Sequence, residues 1–379
     1  MLFGIDRIEE EPKALSGRLA LLSAPSGRTL KGESSIDFLK RTADLRLLLA
    51  PEHGVRGDLA DGVPFESGVD AISGLPMMSM YRKGSYDMPE EAFDYFDTLV
   101  YDIQDVGARF YTFISTLKHA MRQCADHGKR LVVLDRPNPL GNLVEGCIRT
   151  PETESFVGFH DIPAIYGQTC GEFALMVKDE EKLDLDLTVI KCAGYTAGMT
   201  FEDWKRPWLM TSPAMPDIES VRLYAGLCLL EGTNVSEGRG TSAPFRLIGA
   251  PYIKAETFAK DFNAMELPGV FASPYWFTPT WSKHQGLLCG GIRIYVTDAA
   301  ALRPLTVGVC LLDLLRRSYP DDFGLRQYTE QSTTSQPFIS LLAGHRLFEN
   351  NEWSLEEVLE MNRQGREVFE ERRKKYVLY

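Results

Sequence analysis

The 379-residue chain has no uninterrupted apolar run of membrane length, and its first residues, MLFGIDRIEEEPKAL, turn acidic at once. A basic start followed by an apolar stretch, the mark of an export signal, is absent. As written, the chain is expected to be cytoplasmic with no membrane span; a mature form whose signal had been removed would read the same. Basic clusters are missing too. Lys and Arg number 41 against 53 Asp and Glu, for a net charge of -12. No segment gathers the cations that hold a phosphate backbone, so nucleic acid is not an expected partner. The seven cysteines (Cys124, Cys147, Cys170, Cys192, Cys228, Cys289, Cys310) include no C-x-x-C pair and are odd in number. They read as reduced core thiols rather than a disulfide framework.

Several signatures of cofactor chemistry are also lacking. The six histidines (His53, His119, His127, His160, His284, His345) form no H-E-x-x-H or related spacing. No metal is therefore expected, and only dispersed ligands such as His53, Asp102 and Asp135 would overturn that. No strand is followed by G-x-G-x-x-G; the first turn reads LLSAPSGRTLKG, which argues against nicotinamide or flavin and leaves no cofactor implied. There is no G-x-S-x-G, and Cys170, at a helix start without a positioned base, reads as buried. The short GRG at 238–240 is a weak phosphate cradle, since glycine there can serve only a tight turn.

What is present is a globular composition, 44% hydrophobic, enough for one large domain or two ordinary ones. Short β-rich runs (RLALLS, LRLLLA, TLVYDI, RLVVLD, DLTVIKC) take turns with helical segments (SSIDFLKRTA, EEAFDYF, FYTFISTLKHAMRQCADHG, GEFALMVKD). This alternation predicts an α/β fold, a Rossmann-like doubly wound, mostly parallel sheet over residues 1–205. From RPWLMTSPAMPD onward the pattern changes to Pro-rich loops, a Gly-rich segment, aromatic strands and helices near 301–317 and 355–375. Residues 206–379 therefore read as a smaller mixed α/β domain, with a cleft between the two.

Ligands of open α/β sheets bind beyond the carboxyl ends of the strands. Three strands end there in charged residues. LRLLLA leads into Glu52, His53 and Arg56; TLVYDI supplies Asp102 and leads into Gln104, Asp105, Arg109 and Tyr111; RLVVLD supplies Asp135 and leads into Arg136 and Asn138. Each has a structural alternative, because an Asp after a strand often caps a helix and a nearby Arg often neutralises it. His53 could equally be a packing residue, and Asp105 a cap. Together with Glu231 and Glu237 of LLEGTNVSEGRGT, these residues outline a cleft of carboxylates for acid and base work and arginines for an anionic ligand. Tyr275, Trp276 and Trp281 are candidates for stacking on sugar faces, or are simply core. The sum is a hydrolase of a small polar ligand.

The stretches APEHGVRGDLADG, YDIQDVGARFYTFISTL, LDRPNPLGNLVEG, LLEGTNVSEGRGTSAPFRLIGAP and FTPTWSKHQGLLCGG occur in this order. With them the chain resembles the NamZ family of bacterial exo-β-N-acetylmuramidases, glycoside hydrolase family 171, once a domain of unknown function. The resemblance implies release of N-acetylmuramic acid from the non-reducing ends of peptidoglycan fragments, so that peptidoglycan-derived disaccharides or glycan ends are the expected partners. It places the family's E-H-G motif on Glu52, His53 and Gly54, its D-I-Q-D-V-G-A-R-F-Y motif on Asp102 to Tyr111, and its E-G-T-N-V-S-x-G-R-G-T motif on Glu231 to Thr241. Departures are the missing export signal, SAPSGR where members read close to TNQTGV, and TSPAMP for PSPNMP. On this basis Glu52 is expected as the acid, with Glu231 or Asp102 as its partner. His53, Gln104, Asp105, Tyr111, Asn138, Asn234 and Glu237 are expected to bind substrate. Arg109, Arg136, Arg56 and Arg239 are candidates for the lactyl carboxylate, Arg109 first. The rival is a non-catalytic muropeptide-binding protein using the same cleft.

Overall fold

A computed structural model of the chain describes residues 1–60, 62–326, 336–349 and 352–379. The first half forms β1 (Leu19–Ser23), α1 (Ser35–Thr42), β2 (Leu45–Ala50), β3 (Gly68–Val69), β4 (Pro76–Ser79), β5 (Thr98–Asp102), α2 (Phe113–Asp126), β6 (Arg130–Leu134), α3 (Cys170–Glu180) and β7 (Leu187–Ile190). Their sheet has the order β3-β4-β2-β1-β5-β6-β7. All its pairings are parallel except that of β3 with β4.

Continuous apolar strands arise because both faces are covered. Ala20 and Leu22 of β1, with Leu99 and Tyr101 of β5 and Leu131 and Val133 of β6, face the core that holds α2 and α3. The alternate residues Leu19, Leu21, Val100, Val132 and Leu134 face a second core with Ile36 and Leu39 of α1 and Phe3 and Ile5 near the N-terminus. Local signals fix the helix starts. Ser34 Oγ accepts from the Asp37 amide, and Thr169 and Glu172 form a capping box before α3. The EEAFDYF segment is a 3₁₀ turn, Glu90–Asp94, rather than an α-helix.

After α4 (Phe201–Trp204) and α5 (Ile218–Leu227), the chain builds β8 (Leu247–Ala250), α6 (Ala255–Asn263), β9 (Val270–Phe277), β10 (Cys289–Val296), α7 (Pro304–Ser318), α8 (Phe338–Ala343) and α9 (Leu355–Arg373). The three strands form an antiparallel sheet in the order β8-β10-β9. The two sheets are joined by one buried cluster, in which Phe113 and Phe173 share a core with Leu223, Leu311 and Phe369. All seven cysteines are free and buried.

Candidate active site

The β2 strand delivers its apolar side chains to the core and stops at Pro51. His53 then takes φ 71 and Gly54 φ 75, two left-handed residues that reverse the chain within a turn. His53 is buried, with Nδ1 3.1 Å from the Leu59 carbonyl and its ring edge-on to Phe113. Glu52 is half-buried on the wall of a cavity of about 410 Å³. Its Oε1 accepts from the Gly62 amide at 2.8 Å and its Oε2 from the Thr112 hydroxyl at 2.7 Å. The hydroxyl can also accept, so Thr112 can hold Glu52 in either protonation state.

The opposite chemistry comes from the second half. A 3₁₀ turn after α5 carries Glu231 to the same cavity, where Arg239 Nη2 donates to its Oε1 at 2.7 Å. Arg239 also approaches Glu237 Oε1 at 3.5 Å, and Lys283 Nζ reaches Glu237 Oε2 at 2.6 Å. The result is an alternating row of charges, Glu231, Arg239, Glu237, Lys283, that holds the Glu231 carboxylate beside a cation. Burial lowers the Lys283 pKa, an effect that Glu237 opposes. Gly232 is required here by close approach, because a Cβ would lie 2.5 Å from the Ile339 backbone nitrogen at the start of α8.

Aromatic rings make the side walls. Tyr86 and Phe156 stack with centroids 3.6 Å apart and planes 4° from parallel, and Tyr111 meets Tyr224 edge-on at 5.7 Å. Tyr111 is fixed by its hydroxyl, which donates to Thr211 Oγ1 at 2.6 Å. Arg326 also lines the cavity, exposed, with its backbone tied to Gly232 and Phe338.

Of the residues expected from the sequence, the cavity brings together Glu52, His53, Tyr111, Glu231 and Arg239. The others lie elsewhere, for physical reasons. Asp102 and Arg136, expected as a catalytic partner and an anion receptor, are fully buried and bind each other in bidentate fashion, at 2.6 and 3.0 Å. Ser35 Oγ donates to the same carboxylate. A pair satisfied in this way ties β5 to β6 and leaves no fork for a ligand. Arg56 is likewise committed, to Asp70 at 2.7 and 3.1 Å, which holds the Asp70 carboxyl below the usual carboxylate range.

Arg109 points into the core, where its guanidinium donates to the carbonyls of Leu342 and Ile162. Gln104 donates to the Asp105 and Pro137 carbonyls, and Asn138 to that of Gln168. Gly107, φ +80, has no room for a Cβ beside the Asn138 side chain, which explains the glycine of QDVGA. Asp105 accepts from Tyr166, and burial pushes its carboxyl up to about 7. Asn234 accepts from Tyr252 and the Gly324 amide. Glu237 lies behind the wall, in the charge row. Gly238 and Gly240, both at positive φ, serve a tight turn that presents Arg239.

Sequence reasoning missed Tyr81, Tyr86, Phe156, Tyr224 and Arg326. The first three lie in irregular stretches such as SMYRKGSYDMP, whose only signal is a density of rings without periodicity. Among the described residues, no group of three or more His, Cys, Asp or Glu side chains is placed to hold a metal ion. None of the described helices is long and apolar enough to cross a membrane.

Comparison with known proteins agrees with this architecture. The family model described as exo-beta-N-acetylmuramidase NamZ, N-terminal, matches residues 19–219, and the C-terminal model of the same family matches residues 222–379. The peptidoglycan beta-N-acetylmuramidase NamZ of Bacillus subtilis (strain 168) is 41% identical over 384 aligned positions, covering 99% of this chain and 91% of that protein. A solved DUF1343 family protein of Bacteroides fragilis NCTC 9343 superposes with a TM-score of 0.89 at 30% identity, covering 100% of this chain and 98% of the other. A second protein of that family and organism gives 0.76 at 29% identity, with the same coverage. With the two family models matched over residues 19–219 and 222–379 and the fold shared, the chain belongs to the NamZ exo-β-N-acetylmuramidase family and is a glycosidase.

Proposed function

We propose that the protein is an exo-acting glycoside hydrolase that releases N-acetylmuramic acid from the non-reducing ends of peptidoglycan fragments, in the turnover and recycling of cell wall. The observation that carries this reading is the meeting of Glu52, from residues 1–205, with the Glu231–Arg239 pair, from residues 206–379, on one aromatic-walled cavity. A glycosidase needs an acid that protonates the leaving oxygen and negative charge facing an oxocarbenium-like transition state. Glu52 fits the acid, since its partners are an amide and a hydroxyl that tolerate a proton on the carboxyl group. Glu231, bonded to a guanidinium, fits the anionic role. A cavity of about 410 Å³ suits the end of a glycan rather than a running length of it, which favours exo action.

Muramic acid differs from glucosamine by a lactyl ether carboxylate, and the cavity must supply a cation for it. Arg326 takes that role in this reading. It is exposed on the wall and anchored by its backbone to Gly232, next to Glu231. Arg109, Arg136 and Arg56 are engaged with protein groups instead. The test is hydrolysis of a chromogenic N-acetylmuraminide beside the matching N-acetylglucosaminide, together with a defined glycan fragment whose products are resolved by mass. Free N-acetylmuramic acid from the non-reducing end and a strong preference for the muraminide are expected. Equal rates on both sugars, or cleavage inside the fragment, would refute the specificity.

A further inference from the structure

A second concavity, of about 550 Å³, lies on the smaller sheet, outside the catalytic cavity. Its walls are Tyr275 and Trp276 on the edge strand β9, Trp281 on the following loop, and the hydroxyls of Thr241, Ser242 and Thr280. Trp276 is 52% exposed and Trp281 41%. Two exposed indoles lining one groove, with Tyr275 beside Trp276, expose more contiguous apolar surface than scattered single residues do, and such patches mark binding sites. Among the described residues, no charged side chain lines the groove.

The platform is rigid. Phe277 packs beneath it against Leu247, Ala243 and Cys289 in a small core of its own. The loop carrying Trp281 is held by Thr280, whose amide and hydroxyl both donate to the Gly240 carbonyl at 2.9 Å. Lys283 donates to the carbonyls of Leu230 and Val235, and the His284 ring meets that of Asn234. Ser282 and His284 are held at positive φ, a strain that persists only where surrounding bonds over-determine it. These anchors lie in the segment that carries Glu231, and one turn supplies both concavities. Arg239 stands in the wall of the catalytic cavity, and Gly240 in the wall of the groove.

We propose that this groove is a glycan-binding platform that holds the β-linked polymer on the leaving-group side of the cleaved bond through its N-acetylglucosamine units, the sugars of the chain that carry no charge. Sugar faces stack on indole, ring hydroxyls meet the threonine and serine hydroxyls, and the uncharged lining matches the neutral N-acetylglucosamine units of the strand. The inference rests on the glycosidase reading of the adjoining cavity and adds to it how a long chain is retained between its end and its body.

The experiment uses the full chain. Chitotetraose, a neutral β-linked oligomer without the lactyl group, is titrated by calorimetry into the Glu52→Gln protein with and without Trp276→Ala and Trp281→Ala. Binding is expected to weaken roughly tenfold or more in the double variant. In the active background, the ratio of kcat/KM on long glycan strands to that on a chromogenic muraminide should fall by a similar factor. Both tryptophans are exposed, and a melting curve confirms that the variants fold. An unchanged Kd, or no chitotetraose binding by the parent protein, would overturn the platform. So would a dimer that becomes a monomer on losing the indoles, because the groove would then be an interface between copies. A parent enzyme inactive on the muraminide would count against the proposed reaction alone, since the calorimetry reads the groove independently.

Discussion

Arg109→Ala should lower stability and leave sugar preference intact, the reverse of what an anion receptor would do. The guanidinium is 1% exposed and donates to the Leu342 carbonyl and, at 3.4 Å, to that of Ile162. Those bonds are worth about 3 kcal/mol together, given one good charged donor and one long contact. Truncation in a packed core adds a cavity term of about 3 kcal/mol. Against this stands the cost of burying the charge. Desolvation pulls the Arg109 pKa down from its ordinary value to about 10, which corresponds to roughly 3 kcal/mol that the variant no longer bears. The net loss is about 3 kcal/mol, or a fall in Tm of roughly 3–8 °C for a chain of this size. Differential scanning calorimetry reads the first quantity, and kcat/KM on paired muraminide and glucosaminide substrates reads the second. An unchanged Tm with a collapsed substrate ratio would refute the assignment and return the lactyl site to Arg109. Arg326→Ala serves as the counterpart. Its ratio should fall roughly 10-fold to 100-fold, the worth of a hydrogen-bonded charge in a partly desolvated site.

Asp105→Asn should raise stability near pH 7 and flatten its pH dependence. Burial lifts the folded carboxyl to about 7 from 3.8, so its contribution is fully present below about pH 4 and is lost as pH rises through 7. Urea midpoints at pH 4.5 and 7.5 check this, and a parallel fall in wild type and variant would contradict it. Gly232→Ala should reduce kcat/KM more than it reduces Tm. Its Cβ would meet the Ile339 nitrogen at 2.5 Å and push the turn that carries Glu231 away from the start of α8, disturbing the Gly232 carbonyl that holds the Arg326 amide; a variant with wild-type kinetics would show that the turn yields freely.

Much of the fold was legible because burial on both faces writes itself as unbroken apolar runs. RLALLS, LRLLLA, TLVYDI and RLVVLD became β1, β2, β5 and β6 within a residue or two. The strands β3, β4 and β8 were not legible, being short and partly glycine or proline. That Glu52, Glu231 and Arg239 meet on one cavity was legible because chain direction places a residue just beyond a strand or in a Gly-rich turn. Sequence does not say which way a side chain turns there. Asp102 ends β5 and Arg136 lies two residues beyond the end of the adjacent β6, close enough that each neutralises the other inside the sheet edge before a ligand could reach either. Arg109 follows a glycine turn that aims it inward, toward carbonyls that come from residues 53 and 233 positions away. Long-range partners of that kind leave no local trace. Family membership sets aside the reading of a non-catalytic binding protein, which the residues alone had kept open.

The most direct test of Glu52 as the acid is kcat for Glu52→Gln on two muraminides, one with a poor sugar leaving group and one with an activated aryl group. Glutamine can still accept from the Gly62 amide through Oε1 and can donate from Nε2 to the Thr112 hydroxyl, but it cannot give up a proton. Turnover of the sugar substrate should drop by about 10²–10⁴. The aryl substrate, whose leaving oxygen needs little protonation, should lose far less, and the affinity for N-acetylmuramic acid should be retained. A variant within a few-fold of wild type on the sugar substrate would contradict the assignment, as would an equal loss on both.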